Sequence, residues 1–460
     1  MPSLFNRVRN QLSDRQSEHR RIAIGFFWVS LFVFVGKLAG AAKEMTIAWR
    51  YGVSALVDGY VLVLNLVTWP VSVWFNVLGI ALIPALVRTA HADSAEMPRF
   101  RGELMGWHLV AAMGFGLAAW VALPWLFESR WFHLQEDIRR EAVAAARVLA
   151  WLAPLGILSS YFSTLVMAQG DYRNTLVEAL PAAAILAALF APAGWVPAPL
   201  LWGTVAGFAL QVAVLGRLAG TSADLARIRT RFQSPAWNNF GRTVFVMVLG
   251  QAIASLSVVI DQFFAVRIGA GAASSLSYAS RVAALILGMG AIGISRATLY
   301  VFSEVHEKNR LRLHGLGMKW SALGFAIGLL TTVACWVAAP LIITLLFERG
   351  AFTPENTTVV SHLLRISAAQ FPFYFAATVL MNYLASAAAY RKIAIATMLA
   401  LAAKVAFLYL PLPWTPIEVL AGSAVVYIFV LGIALLLPSL QLGARPGHQD
   451  KAQAEDGPRS

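Results

Sequence analysis

Seven ionisable side chains stand inside or at the edges of long apolar stretches: Lys37, Lys43, Glu44, Asp58, Asp261, Arg281 and Lys404. A charge at such depth costs about 2.5–3.5 kcal/mol on insertion scales and needs a compensating environment. Lys37, Arg281 and Lys404 lie far from the stretch ends, which suits cations lining a wet cavity. Lys43 and Asp58 lie near the ends, where reaching to the interface serves equally well. Lys37 and Glu44 are seven residues apart and share one helix face, two turns from each other. The chemistry that fits deep cations is reversible capture of an anionic headgroup. A pyrophosphate matches best, because arginine bonds phosphate oxygens in pairs while lysine acts as a point charge.

Other chemistries find no support. Gly288-Met-Gly290-Ala-Ile-Gly293 fits a dinucleotide-binding spacing, but no strand precedes it and it lies within an apolar run, so helix packing or bending is expected. Gly36 with Gly40, and Gly324 with Gly328, likewise predict helix contacts. The eight histidines show no paired-ligand spacing, and His108 and His362 read as structural or interfacial. Neither a metal nor another cofactor is expected. There is no nucleophile elbow and no P-loop, and the single cysteine, Cys335, rules out an internal disulfide. Glu128, Asp137 and Glu348 are the remaining candidates for acid–base catalysis in a loop, as a membrane-embedded polysaccharide enzyme would need.

The elements that must carry these residues follow from composition. Of 460 residues, 59% are hydrophobic and 13% charged, and mean hydropathy is +0.67. Soluble domains are about 45–50% apolar and 25% charged, so the chain is an integral membrane protein. Its net charge of +13 then reflects the excess of cations on cytoplasmic loops and not a nucleic-acid partner. Stretches long enough to cross a hydrocarbon core of about 30 Å number twelve: roughly 22–42, 56–87, 104–127, 142–168, 174–193, 198–219, 240–266, 272–302, 318–347, 358–388, 392–411 and 417–440. Pro70 predicts a kink in the second, and Gly288, Gly290 and Gly293 one in the eighth. Loops on one side hold 22 basic residues and those on the other seven, which puts both termini in the cytoplasm. Ala39-Gly40-Ala41 looks like a cleavage site, but the long leader carries Asp14 and Glu18, so no cleavage is expected.

The chain also repeats itself. Glu44 to Gly52 answers Asp261 to Gly269 at an offset of 217, Trp120-Val-Ala-Leu-Pro124 answers Trp336-Val-Ala-Ala-Pro340 at 216, and Leu126-Phe-Glu128 answers Leu346-Phe-Glu348 at 220. Pro154 answers Pro372, and Tyr172-Arg173 answers Tyr390-Arg391, both at 218. The expectation is an all-α protein of two six-helix lobes in one orientation, 22–216 and 240–440, flanked by a basic leader 1–21, a basic linker 217–239 and a polar tail 441–460.

These motifs resemble the MurJ/MviN lipid II flippases, of the MOP superfamily that also holds the MATE drug exporters. The likeness covers about residues 22–440. Leu346-Phe-Glu-Arg-Gly-Ala-Phe-Thr353 is similar to that family's signature after the ninth helix, and Gly36-Lys-Leu-Ala-Gly-Ala-Ala-Lys-Glu44 to its first-helix pattern. Gly52 and Asp58 match the residues before the second helix, and Tyr278-Ala-Ser-Arg281 the eighth-helix motif. The resemblance implies that Lys37, Lys43, Asp58 and Arg281 serve headgroup binding, with Glu44 tuning the field. It implies a polyprenyl-pyrophosphate-linked saccharide, lipid II or an exopolysaccharide unit, flipped across the inner membrane by alternating access. The implied protein is a monomer among membrane lipids, with cell-wall or polysaccharide synthesis enzymes as neighbours.

The chain departs from the family in three places. Pro70 to Asn76 replaces an arginine pair, and about twelve spans stand where fourteen are common. The third lies at Asp261, which matches an acid used for sodium by some members, while Lys404 stands where they carry neutral or acidic ligands. Lys404 is expected to take the cation's place and pair with Asp261. The alternatives are a MATE-like ion-coupled exporter, which a cavity richer in acids would favour, and the membrane enzyme above.

Overall fold

The computed structural model describes residue 32 and residues 34–444, except 93–95, 130–132, 170, 172, 193, 226, 232, 235–236, 238–239, 289–309 and 388. The expected leader, the opening of the first span, the later half of the eighth with Gly290 and Gly293, and most of the tail lie outside these residues.

The described chain is helical. Helix α1 spans 34–51, followed by α2 (Ala55–Ala92), α3 (Met97–Glu128), α4 (Glu136–Leu149), α5 (Leu152–Ala168), α6 (Arg173–Val177), α7 (Leu180–Phe190), α8 (Pro199–Leu218) and α9 (Ser222–Leu225). Then come α10 (Phe240–Ile268), α11 (272–288), α12 (Arg310–Phe347), α13 (Pro354–Ala368), α14 (Phe371–Ser386), α15 (Tyr390–Leu408) and α16 (Pro416–Ala444). Among the described residues, six helices are long and apolar enough to cross a membrane, and two bent pairs bring the number to eight. The expected count of twelve is therefore not reached on those residues. The first and eighth spans run beyond them, and α15 carries three cations, Arg391, Lys392 and Lys404, in 19 residues.

The internal repeat reappears as a repeat of elements. α2 and α11 start 217 residues apart, α4 and α13 218, α5 and α14 219, and α8 and α16 217. Pro124 and Pro340, matched in sequence, both lie inside a long helix. The pairs α4–α5 and α13–α14 bend by 47° and 42°. Each bend falls just before a proline, Pro154 or Pro372, whose missing N–H and bulky ring interrupt the helical ladder. Pro70, in contrast, lies within α2 without ending it.

The described residues form two compact units. The first holds the chain up to Arg50 together with Leu62–Ala252; the second holds Tyr51–Val61 and the chain from Ile253 onward. In the first, Leu78 and Leu82 of α2, Phe100 and Leu104 of α3, Tyr161 and Leu165 of α5 and Leu215 of α8 make a buried core. In the second, Val379, Leu380 and Tyr383 of α14 pack with Ala396 and Ala400 of α15 and Leu435 of α16. A Cβ on Gly328 would stand 2.4 Å from Pro372 Cα, and one on Gly324 3.2 Å from the Phe375 carbonyl, so this pair brings α12 onto α14 as expected. Gly36 and Gly40 do not behave this way: nothing described lies within 4 Å of a Cβ placed on either. Outward faces are apolar, with Met113, Leu117 and Trp125 exposed on α3 and Leu330, Val337 and Leu345 on α12. Lipid tails accept such faces at no cost, whereas water would not.

Candidate functional site

In the first unit, α1 carries Lys37 exposed and Lys43 paired to Glu44 at 2.6 Å, with Glu44 almost fully buried. Adjacent charges on a helix do not face each other by default, so this pairing requires both long side chains to fold toward one another. Thr46 donates its hydroxyl back to the Ala42 carbonyl at 2.9 Å. Arg50, at the end of α1, donates to the carbonyl of Leu189 on α7.

The second unit holds the other four residues. Asp58 is fully buried. Its carboxylate accepts the backbone N–H of Gly271 and, at 2.6 Å, that of Ser274. These are two of the N–H groups that a helix leaves unpaired at its start, so Asp58 serves as a cap for α11 contributed by a distant part of the chain. Both oxygens are occupied by backbone. Tyr278, one turn further along α11, donates to the Gly52 carbonyl at 3.1 Å and packs against Phe347 and Phe352. Gly52 has φ of +58°, and a Cβ there would stand 2.3 Å from the Ala351 carbonyl oxygen. The signature-like run 346–353 thus holds the corner between α1 and α2, and its Thr353 hydroxyl caps α13. Arg281 lies seven residues after Ser274, half-buried, its Nε donating to the Ser277 hydroxyl at 3.1 Å.

Lys404 and Asp261 meet. The Lys404 ammonium is 2.7 Å from each oxygen of the Asp261 carboxylate. It also donates to the Ser257 hydroxyl at 2.7 Å and lies 5.9 Å from the centre of the Tyr427 ring. Lys404 is 1% exposed. At that depth an ammonium persists only when paired and hydrogen-bonded, and this set of oxygens supplies both. Ser257 is the partner that sequence reasoning missed. It stands one turn before Asp261 on α10, and that i, i+4 spacing was the available signal.

The structure places no group of three or more His, Cys, Asp or Glu fit for a metal among the described residues. Of the loop acids, Glu348 accepts the Thr344 hydroxyl at 3.0 Å. His362 reaches Glu418 at 2.7 Å. The helix carrying His108 buries that side chain and stacks it on Tyr161, with ring centres 4.1 Å apart.

Comparison with known proteins gives a consistent result. The family model described as "Lipid II flippase MurJ" matches residues 51–450. A probable lipid II flippase MurJ of Synechocystis is 24% identical over 385 residues, 77% of this chain and 69% of that protein. Relatives of the same name from Rhizobium meliloti, Helicobacter pylori and Bdellovibrio bacteriovorus align over only 31%, 28% and 43% of their own lengths. A solved lipid II flippase MurJ in an inward closed conformation shares the fold with a TM-score of 0.77 at 16% identity, covering 91% of this chain and 90% of that one. An inward-facing MATE family multidrug transporter of the MOP superfamily follows at 0.70 and 16%, covering 92% and 96%. At these identities the two structures speak for the fold alone.

Proposed function

Since the chain belongs to the MurJ lipid II flippase family, we propose that it carries a polyprenyl-pyrophosphate-linked saccharide, lipid II in the first instance, across the bacterial inner membrane by alternating access. The family match over residues 51–450 carries this reading. The MATE-like alternative rests on a shared fold at 16% identity, and the deep charges are mostly basic, which suits an anionic headgroup better than a cationic drug. The excess of cations on one set of loops supports an orientation with both termini in the cytoplasm.

In this reading Lys37 and Arg281 are each cations for headgroup binding, and the Lys43–Glu44 pair moderates the positive field beside Lys37. Asp58 acts at one remove. By capping α11 it holds the helix whose Arg281 lies two turns further on. Asp261 and Lys404 supply a built-in cation, so transport runs without sodium and draws on another gradient, the membrane potential or consumption of the product.

Depleting the protein in its host and assigning which lipid-linked saccharide accumulates on the cytoplasmic leaflet tests the function. Accumulated lipid II supports it; an unchanged lipid II pool with another lipid-linked glycan accumulating transfers the substrate to that glycan, and no accumulation at all removes the flippase reading. The coupling proposal is checked by reconstituted transport with sodium replaced by a large organic cation. A rate that depends on sodium in the intact protein and remains so in Lys404→Ala refutes it.

A further inference from the structure

The segment joining α8 to α10 is fastened along α3 by groups that sequence reasoning passed over. Glu103 of α3 is fully buried. Its carboxylate accepts the backbone N–H of Gln233 at 3.2 Å and of Ser234 at 3.1 Å, and the indole N–H of Trp237 at 2.7 Å. Arg101 of α3 grips Asp224 at 2.6 and 3.0 Å and donates to the Ala219 carbonyl at 2.8 Å. Between these clasps, Arg229 donates its backbone N–H to the Gly102 carbonyl at 3.2 Å. A Cβ on Gly102 would stand 2.3 Å from the Arg227 oxygen, and one on Gly106 2.1 Å from the Arg229 oxygen. Two residues of the strap therefore cover four of the helix, about 6 Å of rise, which requires nearly extended backbone at about 3.3 Å per residue.

Extension places the side chains of Arg227 and Arg229 on one side of the strap, and Arg231 follows where the chain bends back toward Glu103, its carbonyl accepting the Gln233 N–H at 3.2 Å. All three are exposed, and among the described residues no acid pairs with them. Leu225 and Ile228 beside them are also exposed, at 50% and 45%. The strap lies at the charged opening of α3, where Arg99, Arg101 and Glu103 precede a stretch without Asp, Glu, Lys or Arg from Leu104 to Phe127. α3 has 32 residues, about 48 Å, so its first turns stand outside a hydrocarbon core of about 30 Å.

We propose that this ribbon binds the phosphodiester headgroups of anionic phospholipids in the adjoining leaflet, with the exposed Leu225 dipping toward the acyl region. Arg227 and Arg229 stand about 7 Å apart along the strap, and with Arg231 they put three guanidinium groups within five residues. Guanidinium groups bond phosphate oxygens in pairs, and basic residues at a membrane surface favour anionic lipid. This inference does not depend on which saccharide is carried.

Native mass spectrometry of the full chain in detergent, titrated with phosphatidylglycerol or with phosphatidylcholine of the same acyl chains, tests it. The expected result is preferential retention of phosphatidylglycerol, weakened roughly fivefold for each arginine lost across R227Q, R227Q/R229Q and the triple variant with R231Q. Removing Arg139, Arg140 and Arg147 of α4 deletes the same charge and should leave retention unchanged. The proposal is overturned if the triple variant retains phosphatidylglycerol as the parent does, or if the α4 variant loses it equally. Displacement of the lipid by inorganic pyrophosphate, but not by sodium chloride of equal ionic strength, also overturns it and assigns the arginines to a pyrophosphate ligand.

Discussion

Asp58 accepts the backbone N–H of Ser274 at 2.6 Å, tying the start of α2 to the start of a helix 216 residues later. The bond explains why Tyr51–Val61 belongs to the same compact unit as the C-terminal half of the chain. A buried carboxylate thus secures this segment, with Tyr278 and the run 346–353 closing over Gly52.

Removing that carboxylate should therefore lower stability before it affects any ligand. Asp58→Ala is expected to cost about 1–2 kcal/mol for the lost cap, and Asp58→Asn less, since one oxygen remains to accept. Thermal unfolding of the detergent-purified protein measures both. An unchanged midpoint in Asp58→Ala would mean the cap contributes nothing.

Gly52 and Gly36 offer a contrast of position. At Gly52 a methyl group meets both a left-handed φ of +58° and the Ala351 carbonyl, so Gly52→Ala should destabilise by at least about 1–3 kcal/mol. Gly36 lies within α1 with nothing described nearby, and Gly36→Ala should be neutral or stabilising by up to about 1 kcal/mol. The two unfolding midpoints should move in opposite directions or by clearly different amounts.

Lys404→Met leaves the partly buried Asp261 carboxylate beside an apolar side chain. Breaking such a pair costs about 3–5 kcal/mol, whereas replacing both partners by apolar groups recovers most of it. The check is a double-mutant cycle with Asp261→Leu. Additive losses in the double variant would show that the two groups do not depend on each other.

Glu103→Ala removes the acceptor shared by Gln233, Ser234 and Trp237. Local opening of the strap should become easier by about 1–3 kcal/mol, and trypsin should cleave after Arg227, Arg229 or Arg231 roughly tenfold faster or more. Trp237 emission should shift to the red as its indole meets water. Equal cleavage rates in parent and variant would show that the strap is held by other means.

How much of this was legible in the chain divides along a physical line. Composition and apolar length settled the class of protein, because the cost of exposing apolar surface to water, or charge to lipid, depends on residue type alone. The offset of about 218 anticipated a duplicated set of helices, whereas Pro70, expected to kink α2, left it unbroken and the bends fell instead beside Pro154 and Pro372, which the sequence marks only as a matched pair. Deep placement singled out Lys404 and Asp261, whose charges demand partners wherever the chain puts them.

Other features depended on which segments fold against each other. Nothing local distinguishes Asp58 as the cap of a helix in the other half, or Glu103 as the clasp of the linker. A carboxylate reads the same in sequence whether it faces substrate, lipid headgroup or backbone N–H groups, and only the donors brought to it by tertiary contact decide. Gly36-xxx-Gly40 and Gly324-xxx-Gly328 make the same point: the spacing permits close approach, but among the described residues only the second pair has a helix beside it. Residue type sets what an environment must supply, and the fold determines where that supply comes from.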